Sequence, residues 1–183
     1  MMSAPHPMTA EDLLRIPRGR ARHELVRGAL RTMPLFEMPE ASAISTLLHS
    51  LGNHTHEHGL GETLPTVGFQ LERDPDTVRG PAVAFIRHER VEAIGIGEGY
   101  WPEAPDLAVE VYAPSDPYSH VAERVADYIE HGTRLVLVVD ARRRTVTAHR
   151  PGERVQVCAG DDVLDAEDML PGWTLSLRDL FAL

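Results

Sequence analysis

The chain has no lysine. Its 18 basic residues are all arginine and face 28 acids, giving a formal charge of −10 at neutral pH. A protein that grips a phosphate backbone normally carries a basic patch, so this balance does not support nucleic acid as a partner. Local basic clusters occur at Arg15-Ile16-Pro17-Arg18-Gly19-Arg20-Ala21-Arg22 and at Arg142-Arg143-Arg144. Each reads either as a phosphate contact or as a solvated loop or hairpin turn. Arginine without lysine also fits a high-GC coding bias. The single cysteine, Cys158, excludes an internal disulfide and a cysteine-rich metal motif. No apolar run reaches the ~20 residues that cross a bilayer, and Met1-Met2-Ser3-Ala4-Pro5-His6-Pro7 lacks the apolar core of a signal peptide. The expectation is a cytoplasmic protein with no membrane span.

What is present is an ordinary globular composition. Hydrophobic residues make up 43% and charged residues 25% of 183 positions, which suits one domain over 1–183. Thr9-Ala10-Glu11-Asp12-Leu13-Leu14 reads as a short helix capped by Thr9 and ended by Pro17. His23 to Met33 reads as a hairpin turning near Arg27-Gly28. A helix is expected from Pro39 to His58, with Ile44, Leu47, Leu48 and Leu51 at helical spacing and Gly59 as its stop. Two strands, Thr63 to Glu72 and Thr77 to Arg87, flank Arg73-Asp74-Pro75-Asp76.

Gly95-Ile96-Gly97-Glu98-Gly99 does not clearly link a strand to a helix, so a nucleotide-phosphate loop is not expected. Beyond it lie the strand discussed next and a helix from Pro117 to His131. The strands Leu135–Asp140, Thr145–His149 and Glu153–Val157 follow, with Trp173 to Phe181 closing the chain. Strands on both sides of a crossover helix imply an α/β or α+β fold, a mixed sheet with a parallel pair flanked by helices. Exposed strand edges fit a homodimer.

The most informative stretch is Ala104-Pro105-Asp106-Leu107-Ala108-Val109-Glu110-Val111-Tyr112-Ala113-Pro114-Ser115, a β-branched apolar run that carries two acids between prolines. It reads as a strand packed on both faces. Alternation puts Asp106, Ala108 and Glu110 on one face. Glu110 lies near the strand's exit, where open α/β folds place ligand chemistry. A carboxylate there needs a metal ion, hydrogen bonds or a charged partner such as Arg124 or Arg134, unless it reaches water. Asp106 stands ~13 Å along the strand at ~3.3 Å per residue, too far to share an ion with Glu110 but able to cap a neighbouring element.

This strand, with Pro114-Ser115-Asp116, resembles the Uma-two family of putative restriction endonucleases, a branch of the PD-(D/E)xK nuclease superfamily. The likeness extends to His23-Glu24-Leu25-Val26-Arg27-Gly28-Ala29-Leu30 and to Tyr128 to Gly132 before Val139-Asp140. It also takes in Leu170-Pro171-Gly172-Trp173 and Asp179-Leu180-Phe181. The resemblance implies a restriction endonuclease-like fold in which acids hold Mg²⁺ against a DNA phosphodiester. Glu110 and Glu24 would be metal ligands and, with Arg124, the catalytic set. Two pieces depart from the pattern. The aspartate expected before the Val83-Ala84-Phe85 strand is Ala82, and the lysine expected four residues before Tyr128 is Arg124. Arginine keeps the charge but cannot serve as a base. The resemblance therefore implies either a divergent, weakened Mg²⁺-dependent endonuclease or a non-catalytic interaction protein that keeps the fold.

Other constellations carry less. Asp74 and Asp76 could take the missing ligand role but first make a turn sequence. His54 and His58, one helical turn apart, can bind Zn²⁺ or Ni²⁺ or stand solvated at a helix end. His88 is ambiguous, and His120 is a weak catalytic candidate near Glu110 in the family layout. Cys158 reads as a core or edge-strand residue.

Overall fold

The computed structural model describes residues 6–17, 19 and 21–182. Arg18 and Arg20 of the first basic cluster, and the segment from Met1 to Pro5, lie outside the described residues. Helix α1 (Ala10–Leu14) opens with a reciprocal cap in which the Thr9 hydroxyl accepts from the Asp12 amide and the Asp12 carboxylate accepts from the Thr9 amide. Strands β1 (Ala21–Val26) and β2 (Ala29–Pro34) form the expected hairpin, with Arg27 at φ 47° and Gly28 at φ 76° in the turn. A β carbon at Gly28 would stand 2.4 Å from that of Pro7, so this turn has room only for glycine.

Helix α2 (Met38–Glu57) matches its predicted span and is followed by β3 (Gly61–Pro65), β4 (Phe69–Glu72), β5 (Thr77–Arg79) and β6 (Val83–Arg87). Then come α3 (His88–Ile94), β7 (Leu107–Val111), α4 (Tyr118–Glu130), β8 (Leu135–Asp140) and β9 (Thr145–His149). The chain closes with β10 (Gln156–Ala159), β11 (Val163–Asp165), β12 (Thr174–Ser176) and α5 (Leu177–Leu180). The main sheet runs β10-β9-β8-β7-β6-β3, a second sheet runs β2-β1-β5-β4, and β11 pairs with β12. Only β7 and β8 pair in parallel among the described strands, joined by α4 as a crossover helix must be. The mixed α+β architecture is the one expected from the sequence.

Two expected strands are divided. Thr63–Glu72 breaks at Thr66 (φ 50°), so β3 pairs with β6 in the main sheet while β4 pairs with β5 in the second. Thr77–Arg87 breaks at Gly80-Pro81-Ala82, since proline has no amide to give a ladder. The chain thus crosses between the sheets at both breaks. At the first crossing Trp101 donates its amide to the Gly68 carbonyl, and a β carbon on Gly68 would meet the Tyr100 ring at 2.3 Å. The strand expected at Glu153–Val157 starts later, after the Gly152 turn, and the closing segment is split between β12 and α5.

Both faces of the main sheet are covered. Leu107, Val109 and Val111 point to α2, where Leu47 and Leu51 pack with Trp173, Leu177 and Leu180. Ala108, Val136 and Val138 face α4 through Val121, Val125 and Tyr128. Cys158 is buried in the first of these clusters, on an edge strand. No helix among the described residues is long and apolar enough to cross a membrane.

Asp106 precedes β7 rather than lying within it. It accepts from the Arg87 amide at 3.0 Å, from Arg87 Nε at 3.0 Å and from Arg90 Nη1 at 2.9 Å. It thereby fixes the start of α3, a helix with no buried residue and hence no apolar stripe in the sequence to announce it. Asp106→Ala strands both arginines and the amide, and the expected loss in urea unfolding is about 2–3 kcal/mol. A loss below roughly 0.5 kcal/mol would show that solvent replaces the carboxylate without cost.

Candidate functional site

Glu110 is the penultimate residue of β7, on the face that meets α4. Arg124 and Tyr128, four residues apart on α4, both reach it: Arg124 Nε donates to one carboxylate oxygen at 2.9 Å and the Tyr128 hydroxyl to the other at 3.1 Å. Arg124 extends its fork further, donating Nη2 to Asp116 at 2.6 Å and Nη1 to the Met33 sulfur at 3.6 Å. Arg134, the other arginine weighed for Glu110, pairs with Asp168 instead.

A second arginine repeats the pattern in the neighbouring sheet. Arg79, the last residue of β5, donates Nη1 to Glu24 of β1 at 2.8 Å and Nε to Asp127 of α4 at 2.7 Å. The Gly80 amide occupies the other Glu24 oxygen at 2.9 Å. Glu123 stands 3.6 Å from Arg79. The α4 residues Glu123, Arg124, Asp127 and Tyr128 thus tie the two sheets together through one polar stripe.

Glu24, Glu110, Asp116 and Asp127 are all buried, and so are Arg79 and Arg124. Half-buried Arg22 is the third cation, with its guanidinium 3.9 Å over the Phe36 ring and Nε donating to the Pro34 carbonyl. Carboxylates outnumber cations even with Arg22 included. Burial pushes Glu110 up, Arg124 pulls it down, Glu24 pushes it up again, and the net direction is upward. Burial disfavours charge on Arg124 and Arg79, but the carboxylates facing each of them prevail and hold both guanidiniums above their ordinary value. Burial and the Glu110 charge hold the Tyr128 hydroxyl protonated far beyond its usual range. In Arg22 burial wins and lowers the value.

Glu24 stands near enough to Glu110 and Arg124 for its charge to act on both, although among the described residues it hydrogen-bonds to Arg79 and the Gly80 amide instead. A cleft of about 240 Å³ opens on the lattice beside Glu24, Arg31, Arg79, Asp116, His120 and Arg124. Another, of about 330 Å³, reaches Glu24 and Arg79 from the Arg22 side. His120 Nδ1 lies 3.2 Å from Asp116 Oδ1, at the cleft wall. Ala82 is packed in the main apolar core, and its amide donates to the Val109 carbonyl beside Glu110 in register. Among the described residues no group of three or more His, Cys, Asp or Glu side chains is placed to hold a metal ion.

Other candidates are employed elsewhere. Asp76 accepts from the Ala10 amide at 2.7 Å and so anchors α1. The His54 and His58 rings stack with centroids 4.3 Å apart, and His54 Nε2 contacts the Pro171 carbonyl at 3.0 Å. His88 pairs with Glu92 on the surface. In the second basic cluster Arg142 pairs with Glu37, Arg143 pairs with Asp140, and Arg144 lies over Phe181. Sequence reasoning missed Arg79 and Asp127. Their signals were a lone arginine inside an apolar strand before Gly-Pro, and an acid three residues after Arg124 on the same helix face.

The two-sheet α+β core, with its one parallel strand pair among the described strands, is shared with a solved structure. A crystal structure titled as a putative nuclease belonging to DUF820, from Anabaena variabilis ATCC 29413, superposes with a TM-score of 0.82 at 19% identity, covering 96% of this chain and 98% of that one. The sequence matches the Uma2 model, described as "Putative restriction endonuclease", over residues 10–178, and the chain belongs to that family. No curated protein matched it.

Two consequences are measurable. Arg79→Met leaves Glu24 and Asp127 buried and uncompensated, an expected loss of about 3–5 kcal/mol that Glu24→Gln in the same chain partly restores. Full additivity of the two changes in urea unfolding would mean the pair is not coupled. The folded chain also keeps the Glu110 proton to higher pH than the unfolded chain, whose glutamates titrate near ~4.3. The folded state therefore binds more protons between that value and the raised one, and stability falls as pH rises across the interval. Glu110→Gln removes this segment of the pH dependence. Urea midpoints compared between pH 4 and 8 test it, and an unchanged slope would assign the effect to another group.

Proposed function

We propose that this chain is a nuclease-fold protein that works by binding rather than by cutting, its arginine–carboxylate lattice standing where a metal centre is expected. The observation that carries this reading is Glu110, 2% exposed, with Arg124 on one oxygen and Tyr128 on the other. Mg²⁺ takes one or two carboxylates and keeps several waters in a near-octahedral shell. Both oxygens of Glu110 and of Glu24 already accept hydrogen bonds inside the protein, and position 82 offers a methyl group in the core. The residues present do not fit the ion. Arg124, which cannot surrender a proton at working pH, adds charge and no base.

A Mg²⁺-dependent endonuclease is the second reading, favoured by one observation: Glu24 and Glu110 lie near enough for the charge of one to raise the other. In that reading the two glutamates hold the metal and Arg124 stabilises charge on a DNA phosphate. The formal charge of −10 weighs against DNA as partner. Edge strand β10, with Val157 and the adjoining Val155 exposed, supports the homodimer expected from the sequence.

The test is incubation of the purified chain with supercoiled plasmid, single-stranded DNA and RNA in Mg²⁺ or Mn²⁺, beside a Glu110→Ala control. The expected result is no cleavage above the control. Metal-dependent cutting that Glu110→Ala abolishes would overturn the binding reading in favour of the second.

A further inference from the structure

We propose that the cleft beside α3 and the Gly95–Gly99 loop binds a small, uncharged, largely apolar molecule carrying one hydrogen-bond acceptor. The cleft holds about 410 Å³, within the roughly 300–1,000 Å³ of small-molecule sites. Its walls include Leu64, Ile86, Val91 and Trp101, with Ile94 and Ile96 at the mouth. Ile96 is 79% exposed, an apolar side chain with nothing described packed over it.

One polar atom in these walls is unpaired. Trp101 is buried, and among the described residues its indole N–H has no acceptor. Burying such a donor without a partner is costly, so a ligand that brings an acceptor gains what the empty cleft forgoes. The backbone of Trp101 is pinned on both sides, its amide to the Gly68 carbonyl at 2.9 Å and its carbonyl to the Gln70 amide at 2.7 Å. The backbone that carries the indole is therefore held in place, and the acceptor has to reach a nitrogen that is closed to solvent in the empty cleft.

Charge selects the ligand class. Glu62 and Glu98 line the cleft and among the described residues no basic one does, which disfavours a carboxylate or phosphate and leaves a carbonyl, ether or hydroxyl as the acceptor. The glycine spacing, which makes no phosphate loop, has a use here. A β carbon at Gly95 or Gly97 would meet nothing within 4 Å, so the loop leaves open space at the mouth.

The experiment is a proton–nitrogen correlation spectrum of the full chain titrated with methyl heptyl ketone and, separately, with nonanoate. The chain has two tryptophans, and the Trp173 indole already donates to Ser50 at 3.1 Å, so it serves as an internal reference. The ketone is expected to shift the Trp101 indole signal saturably while Trp173 stays in place, and nonanoate to bind about ten-fold or more weakly. Ile96→Asp, at an exposed position, is expected to weaken the ketone about five-fold or more with the rest of the spectrum unchanged. No saturable shift, equal affinity for nonanoate, or an unaffected Ile96→Asp variant would overturn the proposal. So would a Trp101 signal that moves with protein concentration alone, which assigns the cleft to a second copy of the chain.

Discussion

Two buried guanidiniums hold this molecule in register. Arg79 gathers carboxylates from β1 and α4, and Arg124 gathers them from β7 and the segment before α4. Arginine suits the task because its planar fork serves more than one acceptor and its charge survives burial. Such pairs add little net stability, since desolvation offsets most of the attraction, yet breaking one leaves a charge with no solvent and no partner. The lattice therefore acts chiefly on geometry. It fixes how α4 lies on the main sheet and how the second sheet is held against α4, and the clefts along the lattice take their shape from that arrangement.

The same lattice explains the tension within the site. A nuclease of this fold family would need acids that face water and an ion. Here both oxygens of Glu24 and of Glu110 are engaged by hydrogen-bond donors, and Ala82 is packed in the apolar core. Burial first, and then the charge of Glu24, favour a proton on Glu110 against the pull of Arg124.

Much of this was legible in the sequence, for identifiable reasons. The strand Leu107–Val111, helix α4 and the hairpin at Arg27-Gly28 each carry a strong local pattern, and Glu110 with Arg124 as its partner followed from an acid inside an apolar strand. What stayed hidden is set by tertiary context. Thr63–Glu72 and Thr77–Arg87 each look like one strand because alternation does not record a change of sheet, although Pro81 marks one break. Helix α3 has no apolar face, and Arg79 and Asp127 acquire meaning only when β5 and α4 meet. Asp106, too far along the chain to share an ion with Glu110, anchors the neighbouring helix α3.

The separation of the lattice partners along the chain bears on how the protein is made. Arg79 lies 55 residues after Glu24 and 48 before Asp127. During synthesis the second sheet emerges with Arg79 able to reach Glu24, and its pairing with Asp127 has to wait until α4 has left the ribosome. Contacts of such sequence separation carry a high loop-closure entropy and form late. Arg79 thus stays incompletely neutralised until a helix encoded well downstream arrives.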